Sequence, residues 1–276
     1  LSLPKGTELC LQYPVTKLLF KWHWLLKKRC VRLTAVVHDI ESVRYTGKLS
    51  QEEREQLSCF DSIIAHTPAM QELLISSGIS ADRIRLLQLF DYLATPPSPS
   101  PLNYQESAPR EVCFAGNLGK SLFLPELHQI VGANLHILLY GVGLSEEVEL
   151  SEELQFKGKF APDDLTLLRG HYGLVWDGDS ITTCTGRIGE YLKINAPHKA
   201  SLYIAAGIPL IVWRHSAIAP YVLEHQLGIA VDSLLELPER LASIDVAQYT
   251  RYREAVQVEQ MKITQGLHLR NIISAL

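Results

Sequence analysis

Two α/β domains facing a cleft are predicted by three observations. Strand-length apolar runs alternate with helical patterns along the chain, which implies parallel pairing. A Pro/Ser-rich stretch at 94–109, ATPPSPSPLNYQESAP, lacks any periodicity and marks a boundary. Beyond it the strand–helix alternation restarts. The expected domains are residues 1–107 and 108–276, with the C-terminal helix crossing back.

In the first domain Leu9–Tyr13 reads as a strand ending at Pro14, Lys17–Arg29 as a helix, and Arg32–Val37 as a buried strand ending at His38-Asp39. Gln51–Leu57 is a polar helix and Ser62–Ala65 a short strand ending at His66-Thr67. Pro68–Ser77 is a helix with Thr67 as N-cap and Pro68 at its first position. Arg83–Leu89 is a strand that stops at Phe90-Asp91-Tyr92. In the second domain the strands are Glu111–Ala115, Leu135–Tyr140, Leu154–Lys157 and Gly173–Trp176, with helices at Leu124–Val131 and Asp163–Arg169 and a turn at Gly141-Val142-Gly143. Ligands of parallel α/β sheets bind off the C-terminal strand ends. Those ends carry His38, Asp39, His66, Thr67 and Asp91.

The segment from Tyr172 to Trp213 is the most informative. A short apolar run stops at Asp177-Gly178-Asp179-Ser180, and Asn195-Ala196-Pro197-His198-Lys199 opens a helical pattern. Ala205-Ala206-Gly207-Ile208-Pro209 then leads into the strand Leu210-Ile211-Val212. This is the order of a phosphate-binding βαβ unit, in which helix-start N–H groups, Lys199 and His198 offer donors to an anion. Gly116-Asn117-Leu118-Gly119-Lys120 also follows a strand; its glycines permit close backbone approach and Lys120 reaches toward phosphate. An ordinary βα turn is the bland alternative, and the Walker spacing is absent.

Composition bounds the rest. A hydrophobic fraction of 47% suits a chain with a substantial core, and no apolar run approaches the ~20 residues of a membrane span. Five widely spaced cysteines without a C-x-x-C pair point to a reducing compartment rather than a disulfide framework or structural zinc. The net charge of −4 carries no nucleic-acid signal. Basic residues nevertheless concentrate in the first fifty. There, Lys17–Arg29 sets Leu18, Trp22 and Leu25 on one face, with Leu19 and Leu26 beside it and lysines on the flank. It is either a packing helix or a peripheral contact with an anionic membrane. The chain opens at Leu1, close to a strand, so a further N-terminal piece is expected upstream.

These residues resemble the GT-B class of glycosyltransferases. More closely, they are similar to a bacterial family of galactofuranosyltransferases and streptococcal glucosyltransferases that extend O-GlcNAc on serine-rich adhesins. The shared wording runs through Gln12-Tyr13-Pro14, His38-Asp39-Ile40-Glu41 with Arg44, and Phe90-Asp91-Tyr92. It continues in Phe114-Ala115-Gly116-Asn117-Leu118, Tyr140-Gly141, Gly158-Lys159-Phe160, Gly173-Leu174-Val175-Trp176, Pro197-His198-Lys199 and Ala206-Gly207-Ile208-Pro209. Two positions depart from it: Ala196 stands where the family usually has Asn, and Ser201-Leu202-Tyr203 leaves the ribose-binding Glu of broader GT-B enzymes unfilled.

The resemblance implies transfer of galactofuranose or glucose from a UDP-sugar to a glycan or glycoprotein, without a cofactor or metal, at the cytoplasmic side. The second domain would hold the nucleotide and the first the acceptor. Diphosphate stabilisation falls to Lys199 and His198, with Asn117, Lys120, Asp177 and Asn195 around it. Base recognition falls to Phe160 and Tyr140, and ribose recognition to Ser201. Asp39 or His38 would deprotonate the acceptor, with Glu41 third; Arg44 would hold acceptor oxygens or pair with Glu41. Asp177 and Asp179 form a D-x-D, whose metal-binding role in the other large glycosyltransferase class does not suit this fold. A homo-oligomer is open. The rival readings are a sugar-nucleotide epimerase and a non-catalytic GT-B-like partner subunit.

Overall fold

The computed structural model describes residues 3–97, 104–105 and 108–276, apart from the side chains of Leu18, Leu19 and Trp22. Within the expected linker, 98–103 and 106–107 therefore lie outside the described residues, as does much of the apolar face expected of the helix Lys17–Lys28.

Two all-parallel sheets carry the chain. The first contains β1 (Glu8–Tyr13), β2 (Arg32–Val37), β3 (Ser62–Ala65) and β4 (Ile84–Leu86) in the order β1-β2-β3-β4. β2 and β3 are buried almost throughout, as near-continuous apolar strands covered on both faces must be. Thr67 caps the helix Pro68–Ser76 by accepting the Met70 N–H at 3.1 Å. β4 is shorter than the expected 83–89. Leu87 and Gln88 still donate to Ala65 and His66, but Gln88 turns to φ 71° and ends the strand. On the helix Lys17–Lys28, Leu26 is buried and Phe20 packs edge-on against Phe60 at 6.1 Å, so this side rests on the domain.

The second sheet contains β5 (Arg110–Asn117), β6 (Leu135–Val142), β7 (Leu154–Gly158), β8 (Tyr172–Val175), β9 (Leu210–Trp213) and β10 (Gly228–Val231), ordered β10-β9-β8-β5-β6-β7. From β5 the chain winds outward through β6 and β7, then returns to β8 and winds the other way. The strand order thus reverses between β5 and β8, and ligands of open α/β sheets bind at such a switch point. The expected turn at 141–142 is strand instead, because β6 runs in register with a longer β5 and pairs Gly141 with Gly116. Only glycine fits there: a Cβ on Gly141 would sit 1.8 Å from the Gly116 carbonyl oxygen. The expected helices at 124–131 and 163–169 are 3-10 turns, Leu124–Gln129 and Leu165–Leu167, the latter capped by Asp164.

The Pro/Ser-rich segment is anchored at Tyr104, which stacks on Tyr249 at 3.9 Å and donates to the Ile244 carbonyl at 3.1 Å. After the long helix Val246–Thr264, the helix Leu267–Ser274 crosses back to the first sheet, placing Leu269 and Ile272 on Val36, Ile64, Leu87 and Phe90. Asp91 caps it by accepting the His268 and Leu269 N–H groups at 3.2 and 2.8 Å.

Glu259, 2% exposed, ties this crossing together by accepting from Tyr221, Lys262 and His268, each at 2.8 Å. Burial opposes its ionisation, but those donors outweigh it and lower its carboxyl from the ordinary 4.5 to about 2. Burial likewise opposes the His268 cation, and Glu259 outweighs it, so that pKa is raised. A depressed carboxylate contributes stability above 4.5 that is lost as pH falls toward 2. A raised histidine contributes below 6.5 and loses its contribution as pH rises through the folded value. The cluster is therefore strongest between pH 4.5 and 6.5. Thermal unfolding between pH 6 and pH 3 is expected to lose about 2 kcal/mol more in wild type than in Glu259→Gln, allowing for the exposed Lys262.

Candidate functional site

At the switch point, the helix His198–Ala205 is pinned by Tyr203. Its hydroxyl accepts the Ala115 N–H at 2.7 Å, and its ring lies so close to Gly173 that a Cβ there would meet it at 2.2 Å. This clamp sets the first turn of the helix over the ends of β5 and β8. Lys199 then reaches the Asp177 carboxylate at 2.7 Å and the Trp176 carbonyl at 3.3 Å, with its ammonium 4.2 Å over the Phe114 ring. Its side-chain stem lies 3.5 Å from the Cβ position of Gly116, whose φ of 140° and missing side chain keep that approach open. Lys199 and Asp177 each keep 17% of the side chain exposed, so the ammonium is shielded from bulk water yet reachable.

The flanking loops close the site. Asn117 accepts the Gly119 N–H at 3.1 Å, folding Gly116–Lys120 against Gly143. Lys120 reaches the domain junction, where a cavity of about 420 Å³ is lined by Arg44, Tyr45, Lys120, Asp179, Arg187 and Ile188. A second of about 520 Å³ lies between the segments 43–47 and 186–194 and shares Arg44, Tyr45 and Arg187.

From the first domain, His38 and Asp39 leave the end of β2 toward the second. The loop they form is held from across the junction: Tyr191, 4% exposed, accepts the Ile40 N–H at 2.8 Å. Thr67 donates to the Ile194 carbonyl, and the buried His66 donates to Val37 while accepting the Ala196 N–H at 3.5 Å. Burial foremost, helped by the neighbouring His38 and His198, pushes His66 down to about 3 and keeps it neutral. His38 Nδ1 meets His198 Nε2 at 3.3 Å, and Phe90 stacks on both rings at 4.9 and 4.1 Å. Asp39 pairs with Arg44 at 3.0 Å, so Arg44 serves that carboxylate and not Glu41.

Several sequence expectations are relocated. Ser201 is 1% exposed, which withdraws its hydroxyl from any ribose. Tyr140 is buried, accepts the Arg169 N–H at 3.2 Å and packs edge-on with Phe160, which is half-buried. Among the described residues, Asn195 Oδ1 is buried without a partner. Asp177 is neutralised by Lys199, whereas Asp179 lies apart against Gly186. His198 contacts His38 rather than Lys199's partners. Sequence reasoning missed Tyr191, Tyr203, Arg187 and Glu53. Only the last carries a local hint, as the third residue after Ser50 in the Ser-x-x-Glu spacing of a capping box.

Comparison with known proteins adds relatives over nearly the whole chain. Residues 1–89 match the glucosyltransferase 3-like N-terminal domain and residues 112–276 its C-terminal domain. The chain is 31% identical over 281 residues to the beta-1,6-galactofuranosyltransferase WbbI of Escherichia coli K12, covering 99% of this chain and 79% of the relative. It is 25% identical over 252 residues to glucosyltransferase 3 of Streptococcus gordonii, covering 90% and 71%. Among solved structures, Anabaena Alr3699/HepE in complex with UDP and glucose superposes with a TM-score of 0.61 at 16% identity, over 97% of this chain and 78% of that one. Sucrose-phosphate synthase from Thermosynechococcus elongatus gives 0.61 at 17% identity, over 98% and 74%. The fold is GT-B.

Proposed function

The chain belongs to the glucosyltransferase 3-like family, and from that premise we propose that it is a UDP-sugar-dependent hexosyltransferase. The donor is UDP-galactofuranose or UDP-glucose, and the acceptor is a hydroxyl of a glycan or glycoprotein. The observation that carries this reading is Lys199, an ammonium shielded from bulk water at the β5/β8 switch point, beside a glycine-lined strand end and the first turn of a helix.

A diphosphate placed there meets Lys199 and the helix-start N–H groups, which stabilise the charge that develops as UDP leaves. Asp177 holds the ammonium in place before the donor binds. Across the junction His38 serves as the base. Burial lowers its pKa against the opposing pull of Asp39, so it is neutral at pH 7 and has a lone pair to use. In an inverting transfer the acceptor hydroxyl gives its proton to His38 while its oxygen bonds to the anomeric carbon. The bond from that carbon to the UDP oxygen breaks, and UDP leaves with the electron pair. The rate is expected to fall with acidification, with a midpoint below 6.5, as His38 takes its proton beforehand. Asp39 is engaged by Arg44 and is assigned to orienting the loop.

Calorimetric titration with UDP, ADP, GDP and TDP tests the donor site. Selective binding of UDP supports it. Equal binding of all four, or none, by the folded protein removes it.

A further inference from the structure

We propose that His198, carried by the nucleotide-side domain, is a positioning residue for His38 on the acceptor-side domain: its Nε2 accepts the His38 Nδ1–H and leaves the His38 Nε2 lone pair for the acceptor. The inference rests on the transferase reading above and assigns His198 a role other than diphosphate binding. Three observations carry it. The two ring nitrogens lie 3.3 Å apart, and the rings are nearly coplanar in orientation, at 10°. Phe90 stacks on both, at 10° to His38 and 14° to His198, so neither ring turns freely. The residues lie 160 positions apart, His38 just past a strand of the first sheet and His198 at the start of a helix that packs on the second, so the contact exists only while the domains are held as they are here.

The direction of the hydrogen bond follows from the surroundings. His198 occupies the first position of an eight-residue helix, whose electropositive end disfavours a cation on it. His38 precedes Asp39, whose charge favours the protonated form, and the carboxylate is shared with Arg44. The other titratable neighbour, His66, is already committed to Val37 and Ala196. A proton taken from the acceptor therefore belongs on His38, with Nδ1–H still donating to a neutral His198. The base is oriented only when the two domains meet. An apart, donor-loaded enzyme would lack an oriented base and would spend little donor on water.

Nitrogen-15 NMR of histidine-labelled full-length chain tests this, free and with UDP as probe. In wild type His38 is expected to carry its proton on Nδ1. In His198→Ala it shifts toward the Nε2–H form, which free imidazole favours, and its titration midpoint moves. His198→Asn, whose amide oxygen can accept the same N–H, restores the Nδ1–H form. UDP affinity, measured on the same samples, changes by less than about 3-fold in both variants. With any octyl glycoside found to accept sugar, His198→Ala lowers kcat by about 10- to 100-fold at unchanged donor KM, less than the 10²–10⁴ typical of losing a base outright. A proton on His38 Nε2 in wild type, or an unchanged His38 tautomer in His198→Ala, overturns the proposal. So does a tenfold or greater loss of UDP affinity in that variant, which would return His198 to the diphosphate. Failure of UDP to bind wild type would instead strike the donor-site reading, while leaving the tautomer result legible.

Discussion

Lys199→Ala is expected to weaken UDP binding by about 3–4 kcal/mol, or on the order of 100- to 1,000-fold in Kd. Two effects add. The variant removes the only cation that contacts both β8's end and the Gly116 approach among the described residues. It also leaves the Asp177 carboxylate, 17% exposed, facing an anionic ligand with no countercharge. Truncating one partner of a shielded ion pair costs more than the pair contributes, because the survivor is left uncompensated. Lys199→Ala combined with Asp177→Asn should therefore recover part of the affinity lost. Titration calorimetry on the three proteins checks this. A single-variant loss below about tenfold, or no recovery in the double variant, would place the diphosphate elsewhere.

Glu53→Ala is expected to destabilise the first domain by about 3–5 kcal/mol, seen as a drop in Tm of roughly 8–15 °C by calorimetry. Glu53 is 7% exposed and sits in the helix Gln51–Ser58. One oxygen accepts the Glu41 N–H at 2.9 Å and the Tyr13 hydroxyl at 3.2 Å. The other accepts the Ser42 N–H at 2.9 Å and the Ser42 hydroxyl. Those N–H groups begin the helix Glu41–Thr46, whose N-cap position is Ile40, a residue with no side-chain oxygen to accept them. Removing the carboxylate leaves the Glu41 N–H, the Ser42 N–H and the Ser42 hydroxyl without their acceptor, while the Tyr13 hydroxyl keeps Gln56 Oε1 at 3.1 Å, and it loosens the segment that holds His38, Asp39 and Arg44. Glu53→Gln, which keeps one accepting oxygen, should fall between wild type and Glu53→Ala. A Tm within 2 °C of wild type for Glu53→Ala would show that this carboxylate does not fasten the loop.

These two residues mark how far the sequence is legible. Lys199 is readable because its neighbours in sequence are also its functional context: apolar strand, polar loop, helix start and returning strand lie within one βαβ unit. The strands 32–37 and 62–65 are equally plain, since strands buried on both faces write themselves as unbroken apolar runs. Glu53 reads as a solvated helix residue because what it binds is set by how two helices meet. The helix Glu41–Thr46 was not expected for the same reason: six residues carry little propensity, and a carboxylate from another helix holds its start. The junction was least legible. Tyr191 to Ile40 spans 151 positions and His38 to His198 spans 160, distances at which neither periodicity nor spacing carries information. Ser201 reads as reachable only because sequence pattern does not reveal that the helix is buried on every side from Ala200 to Ala205.

Hexose transfer is tested most directly by product analysis by mass spectrometry after incubating the protein with UDP-galactofuranose or UDP-glucose and a panel of octyl glycosides. One acceptor is expected to gain a hexose in equal amount to the UDP released, with His38→Ala abolishing the gain and leaving UDP binding intact. Conversion of the UDP-sugar to an isomer without any acceptor would contradict it. So would a UDP-sugar that the protein binds but never breaks with any acceptor of the panel.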